Sequence, residues 1–222
     1  METLEEIKSR IESAVPGVKI DVIANNGPAK QPSLLVDNGH AGAAALFLRD
    51  DPALRLDYCS NVTGVDWLDR VVKTKVKVIK VVEGLETQVE ETREESFPGY
   101  LEAVYHLFSM THKHGPVVIR TRTADRGENA RLPSLTPVYR SAEFQEREIF
   151  DLYGVRFDGH PDLRRILMWD EFADYPMRRD YVEPDDYEYE PTPHDDVVAK
   201  TRLHHSQRPA AGKEGGIGEP IA

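Results

Sequence analysis

The sequence predicts an α+β fold. We expect a two-layer sandwich in which a mixed, largely antiparallel sheet of about five strands packs against two helices, followed by a helical segment and an extended C-terminal arm. Two observations predict it: apolar residues recur at helical spacing in two N-terminal stretches, and they alternate with polar residues in about five others. Because short turns separate neighbouring strand patterns, antiparallel pairing is favoured.

The N-terminal elements follow from local signals. Thr3 stands three residues before Glu6 in the spacing of a capping box, which predicts the start of a helix that Gly17 ends. Strands are predicted at residues 18–24 and 33–37, on either side of a turn rich in asparagine, glycine and proline.

The middle of the chain alternates between helix and strand signals. An Ala-rich stretch predicts a second helix ending near Pro52, and residues 55–67 have the β-branched and aromatic content of a strand. Residues 71–84 alternate valine with lysine, which predicts a strand with one apolar and one cationic face. The acidic stretch that follows, up to Gly99, is interpreted as a mobile loop. Residues 100–123 predict a hairpin.

A third helix is predicted over residues 141–154, with Ser141 as its N-cap and Gly154 as its C-terminal stop. Within it, Glu143, Arg147 and Asp151 stand four residues apart, which predicts a ladder of opposite charges along one stripe. Glu148 lies between apolar residues at the same spacing. We therefore place its carboxylate on the apolar face, where it needs hydrogen bonds or a cation.

Composition excludes several classes of function. The 222 residues carry a formal net charge of −11 at pH 7, which would repel a phosphate backbone, so no nucleic-acid partner is expected. The most apolar run, at residues 41–48, is far shorter than the roughly 18 residues of a membrane span. The single cysteine, Cys59, excludes an internal disulfide and any all-cysteine zinc or iron–sulfur site within the chain.

Few residues offer chemistry of their own. Glu146 and Glu148 are an acid–base pair in type, but residues two apart on a helix point in different directions. His106, His112 and His114 lie near one hairpin. The two histidines of the HKH run could supply two metal ligands, but no third ligand is obvious, so a solvated turn is the favoured interpretation. A free-standing enzyme built on these residues is the alternative. We find no phosphate-binding glycine loop and no nucleophile-elbow or zinc-protease motif.

Two arginine pairs favour carboxylate recognition. Arg164 and Arg165 end the run GHPDLRR, and Arg178 with Arg179 repeats the pattern in PMRRDY. Guanidinium forks suit bidentate pairing with carboxylates, and without a glycine-rich cradle a protein carboxylate is favoured over a phosphate. A solvated basic patch is the alternative.

Residues 146–167, EREIFDLYGVRFDGHPDLRRIL, with LPSLTPVYRSAEFQ before them and MWDEFADYPMRRDY after them, resemble the C-subunit family of NADH:quinone oxidoreductase, respiratory complex I. The resemblance is specific over residues 132–181. It implies a sandwich domain at 1–130 that holds an insertion at 70–98, a signature segment at 131–181 with a helix and an interface loop, and an extended to disordered tail at 182–222.

The resemblance implies a non-catalytic structural subunit of the peripheral arm, on the cytoplasmic side of the inner membrane. The complex would couple NADH oxidation to quinone reduction and proton translocation. No cofactor is expected in this chain: FMN and iron–sulfur clusters would belong to partner subunits. The expected partners are the hydrogenase-like D subunit and neighbouring iron–sulfur subunits, with membrane contact only through the complex. The alternative is the equivalent subunit of a related membrane-bound hydrogenase or of a quinone oxidoreductase with another electron donor.

On this interpretation the motif at residues 146–167 forms an interface. The predicted interface residues are Glu146, Arg147, Glu148, Asp151, His160, Asp162, Arg164, Arg165, Arg178, Arg179 and Asp180, with Phe150, Tyr153, Phe157 and Trp169 as candidate aromatic anchors. The five arginines among them are expected to pair with carboxylates, either internal or on the partner.

Overall fold

A five-stranded sheet covered by helices forms the body of the protein. The computed structural model describes residues 2–82, 85–128 and 130–182, and it describes their side chains everywhere except at residues 77–91. The elements are α1 (Leu4–Ala14), β1 (Ile20–Ile23), β2 (Ser33–Val36), α2 (Ala41–Asp50), β3 (Tyr58–Trp67), β4 (Arg70–Val82), β5 (Leu85–Phe97), β6 (Tyr100–Ser109), β7 (His114–Arg122), β8 (Arg131–Pro133), α3 (Ala142–Tyr153) and β9 (Arg156–Asp158).

The main sheet has the strand order β1-β2-β7-β6-β3. Its only parallel pair in the described chain is β2 with β7, and the other neighbours are antiparallel. A parallel pair needs a long crossover, which here contains α2 and the intervening strands. The predicted α+β class and the mixed, largely antiparallel sheet are confirmed, as is the hairpin of β6 and β7.

The core lies between the sheet and the helices. Alternate residues of β6, including Leu101, Tyr105 and Leu107, are fully buried in one cluster with Ile7 and Ile11 of α1. Side chains two apart on a strand share a face, so β6 supplies a continuous apolar row to this cluster. The predicted capping box of α1 is also present, with reciprocal hydrogen bonds between Thr3 and Glu6.

Residues 70–82 and 85–97 form a separate two-stranded ribbon of β4 and β5, so the expected mobile loop before Gly99 is wrong. Two acids of this stretch, Glu90 and Glu94, stand opposite Lys77 and Lys73 in the ribbon register, and Lys73 pairs with Glu94 at 2.6 Å. Cross-strand pairs of opposite charge favour a strand. The apolar face expected for β4 is not covered at its base, since Val72 is 38% exposed.

The signature segment belongs to the same compact unit as the main sheet. One compact unit spans Met1–Tyr181, and its core includes Leu132, Ile149 and Phe157 from the signature segment. Apart from the exposed Val182, the tail predicted over 182–222 lies outside the described residues. Among the described helices, none has the length and hydropathy that a membrane crossing requires.

Replacing Arg70–Phe97 by an Asn-Gly turn should leave the free energy of unfolding of the body nearly unchanged. The ribbon shares no described hydrogen-bonded edge with the main sheet, and Trp67 already pairs with Tyr100 at its base. Substitutions away from the core cost within about 0.5 kcal/mol, which is a melting shift of about 2 °C for a chain of this size. Thermal denaturation followed by circular dichroism checks this, and a much larger fall would mean that the ribbon supports the core.

Candidate protein-protein interface

Helix α3 lies directly against β3 because a glycine leaves room for it. A Cβ at Gly64 would stand 2.6 Å from Cδ2 of Tyr153, closer than real contacts allow. The helix ends as predicted at Gly154, whose φ of 77° is the left-handed conformation that glycine adopts without strain. Its start differs from the prediction, because Ser141 makes no cap and its hydroxyl instead donates to the carbonyl of Cys59 at 2.7 Å.

The carboxylate of Glu146 is fully buried beneath α3. Its oxygens accept hydrogen bonds from the hydroxyls of Ser134 (2.6 Å), Tyr105 (3.0 Å) and Thr136 (3.1 Å) and from the backbone N–H of Leu135 (2.8 Å). Burial raises the pKa of Glu146, and these four hydrogen bonds offset the effect only in part. The group therefore joins α3 to β6 and to the segment after β8.

Asp151, also fully buried, holds the segment that follows β9. Its Oδ1 accepts a hydrogen bond from Nη1 of Arg165 at 2.7 Å, and its Oδ2 accepts from the backbone N–H groups of Ile166, Leu167 and Met168 at 2.7–3.0 Å. Burial alone would raise the pKa of Asp151, but the amides and the guanidinium outweigh it and lower the pKa. We call these contacts the Asp151 cluster.

The predicted charge ladder of α3 is wrong. Arg147 and Asp151 do lie on buried sides of the helix, but each bonds outside it, and Glu143 pairs with Arg140. The placement of Glu148 on the apolar face is also wrong, because this residue is exposed. Tertiary contacts with residues outside the helix decided these partners, and intrahelical spacing cannot show them.

The G-H-P-D-L-R-R run is folded back onto α3. Arg147 donates to the carbonyls of Arg164 and Arg165 at 3.1 and 3.3 Å. Nδ1 of His160 accepts from the N–H of Asp162, so its Nε2 carries the hydrogen and donates to the carbonyl of Glu143 at 3.0 Å. These bonds use the polar atoms of Arg147 and His160 inside the chain and fix the course of the loop.

A second ionic group anchors the end of the described chain. Asp66 is buried on β3 and accepts two hydrogen bonds from Arg126 at 2.6 and 2.8 Å, while Arg126 also donates to Asp180. The backbone N–H of Arg179 donates to Asp66, and the side chain of Arg178 donates to the carbonyls of Tyr153 and Arg126. The expected carboxylate pairing is found for Arg165 with Asp151 and for Arg147 and Arg164 with Asp162. Arg178 instead donates to carbonyls.

Sequence reasoning did not single out Asp66 and Arg126. The available signal was that Asp66 lies within a predicted strand, because a carboxylate that is buried there needs a cation or hydrogen-bond donors. Its partner lies 60 positions away, and sequence alone gives no means of matching them.

Several apolar and charged side chains of this framework are exposed to solvent. Exposed fractions are 62% for Phe144, 59% for Leu167, 53% for Met177 and 39% for Trp169. We call these four residues, with the exposed Arg164 and Arg179, the signature surface. Of the candidate anchors, Phe157 is buried in the core and cannot contact a partner, and Phe150 and Tyr153 are partly buried.

Metal-binding and nucleophilic chemistry find little support in the described residues. No group of three His, Cys, Asp or Glu residues is placed there to hold a metal ion. His112 contacts the carbonyl of Pro52, and its ring stacks on that of His114. Burial raises the pKa of Cys59 to about 12, so its thiol stays protonated at neutral pH.

Comparison with known proteins identifies relatives across this region. A family profile described as the 30 kDa subunit of respiratory-chain NADH dehydrogenase matches residues 34–187. The C subunit of NADH-quinone oxidoreductase from Salinispora arenicola is 35% identical over 180 residues, which are 80% of this chain and 60% of that protein. The protein of the same name from Saccharopolyspora erythraea is 37% identical over 146 residues, covering 66% of this chain and 47% of the relative. The chain thus spans about half to three-fifths of the length of these relatives.

Among solved structures, a trypsin-resistant fragment of Nqo5 is similar, with 22% identity and a TM-score of 0.41. The match covers 72% of this chain and 98% of the fragment.

Asp151→Asn should lower the free energy of unfolding by about 3 kcal/mol, because it removes one partner of a buried ion pair. Asp158→Asn is the matched control: Asp158 also pairs with an arginine, Arg131, but both side chains are about half exposed, so the cost should stay under about 1 kcal/mol. Urea denaturation measures both. Equal costs would show that the Asp151 cluster does not hold the segment.

The two buried carboxylates of α3 should give opposite pH dependences. The folded pKa of Asp151 lies below its ordinary 3.8, so the stability of the wild type relative to Asp151→Asn is complete above that pH and is lost as pH falls through the folded pKa. The folded pKa of Glu146 lies above 4.5, so the wild type loses stability relative to Glu146→Gln as pH rises from 4.5. Unfolding energies measured across this range check both signs, and slopes of the same sign would contradict the assignment.

Proposed function

Since the chain belongs to the family of the 30 kDa subunit of respiratory-chain NADH dehydrogenase, we propose that it is a structural subunit of an NADH:quinone oxidoreductase. On this proposal it catalyses no step by itself. It binds the hydrogenase-like D subunit and the neighbouring iron–sulfur subunits in the peripheral arm, on the cytoplasmic side of the membrane. Its role is to hold the groups that carry electrons to quinone at fixed distances, since transfer and catalysis depend on preorganised geometry.

The observation that carries the proposal is the Asp151 cluster. An irregular segment would lose conformational entropy on binding, and this loss lowers affinity. Here Arg165 and three consecutive amides fix residues 165–168 before any partner arrives, so Leu167 and Trp169 are presented on a preorganised backbone. Exposed apolar side chains rimmed by charge are typical of protein interfaces.

The cysteine content of the chain supports placing the iron–sulfur clusters in partner subunits, and we propose that FMN lies there with them. A cluster site requires several thiolates, and the one cysteine of the chain is buried with a raised pKa. Both relatives described above are named as subunits of NADH-quinone oxidoreductases, so the alternative of a related hydrogenase or another electron donor is not favoured.

Arg165 is a poor choice for testing the interface, because it pairs inside the chain with Asp151. Arg165→Ala would unfold the segment and disturb assembly indirectly. Substitutions on the signature surface separate the two effects, since their side chains are exposed and the framework beneath them stays intact.

Leu167→Asp should abolish most of the assembly without changing the fold. Placing a charge at the centre of an apolar interface costs about 2 kcal/mol or more, a loss of about thirtyfold in affinity. The tagged chain is isolated gently from membranes and its co-purifying subunits, FMN and iron are measured. Leu46→Asp, on the exposed side of α2, is the control and should assemble normally. A lone wild-type monomer, or equal assembly of the two variants, would contradict the proposal.

A further inference from the structure

The main sheet carries a cleft of about 620 Å³ beside the base of the β4–β5 ribbon. Its lining shares no residue with the signature surface. Three aromatic side chains and three arginines stand out in this lining: Trp67, Phe97, Tyr100, Arg70, Arg120 and Arg122. The cleft lies at the end of β3 and the start of β6, where Trp67 pairs with Tyr100.

A buried acid organises the floor of this cleft. Glu102 on β6 has no exposed surface, and its carboxylate accepts hydrogen bonds from Nε1 of Trp67 at 2.7 Å, Nη1 of Arg120 at 3.1 Å and Nε of Arg122. This one carboxylate faces two guanidinium groups, and Arg70 adds a third cation at the rim. The cleft therefore has an excess of two positive charges within a chain whose formal net charge is −11.

The arginines of the cleft are held in place and keep donors unused. The guanidinium of Arg122 stacks over the ring of Tyr100 at 4.6 Å, and that of Arg70 stacks over Phe97 at 4.9 Å. Arg120 Nε is buried and has no hydrogen-bond acceptor in the described part of the chain. A buried unpaired donor carries a cost, and an acceptor delivered by a ligand would remove it. Planar guanidinium groups that are held in place in this way are suited to bidentate binding of carboxylates.

We propose that the cleft binds an acidic segment of a partner polypeptide, with carboxylates on the arginines and an aromatic side chain against Trp67 and Phe97. Arginine clusters recognise acidic motifs in this way. An excess of only two charges matches about two carboxylates, whereas a nucleic acid or polyphosphate would be repelled by the rest of the chain. The inference goes beyond the structural role proposed above, because its residues are separate from the signature surface and it can be tested on the isolated chain.

The fluorescence of Trp67 reports on the cleft directly. The chain has two tryptophans, so Trp169→Phe leaves Trp67 as the single tryptophan emitter in the full-length protein. The probe is a synthetic peptide of repeated Glu-Glu-Tyr. It is compared with Gln-Gln-Tyr and Lys-Lys-Tyr repeats of equal length, and with inorganic phosphate. We expect saturable binding of the acidic peptide alone, weakened by salt.

Arg70→Gln is the test variant, because Arg70 is exposed and does not bond to Glu102, so the fold is preserved. It should weaken binding of the acidic peptide about tenfold, the value of one charge-assisted contact. Arg55→Gln, an exposed arginine beyond the opposite end of β3, is the matched control and should bind as the wild type does. No binding, equal binding of the Gln-Gln-Tyr peptide, equal binding by the two variants, or displacement by phosphate would each overturn the proposal.

Discussion

The burial of one ionised carboxylate determines much of this structure. Asp151 lies inside α3 with no exposed surface, and removing such a group from water costs several kcal/mol unless its oxygens are fully hydrogen-bonded. Arg165 and three successive backbone amides meet that requirement. Because all four donors come from one irregular stretch, satisfying the acid also determines where that stretch runs. The exposed Leu167 and Trp169 are thus positioned by a group buried beneath them.

The same helix buries a second acid in a different way. Glu146 stands five residues before Asp151, about 140° around the helix, and its partners are three hydroxyls and one amide without a cation. Hydroxyls can donate to the carboxylate or accept from the protonated acid, which is why the raised pKa of Glu146 is tolerated. The two acids fasten α3 on two sides, one toward the sheet and one toward the signature segment. A helix held in this way is a rigid base for the signature surface, which we propose binds another protein.

A third buried acid, Glu102, organises the part of the sheet beside the ribbon through Arg120 and Arg122. These acids share a physical pattern: each is inaccessible, fully bonded and bound to residues distant in sequence. Such networks specify one arrangement of elements more than they add stability, since an unpaired member is costly. For a family member proposed to maintain distances within a larger assembly, a single rigid arrangement is the useful property.

Local signals in the sequence were sufficient for the elements that depend on neighbours along the chain: the capping box at Thr3 and Glu6, the end of α3 at Gly154, and the hairpin of β6 and β7. The ordered motif at residues 146–167 also lies within residues 34–187, the range that the family profile matches. Spacing could not decide which acid on α3 is buried, Glu146 or Glu148, because partners such as Tyr105 and Ser134 come from other elements. The acidic strand β5 was missed for the same reason, since lysines across the ribbon turn a loop composition into a paired strand. Sequence determines periodicity and caps; charge partners that meet only on folding are decided by the tertiary structure.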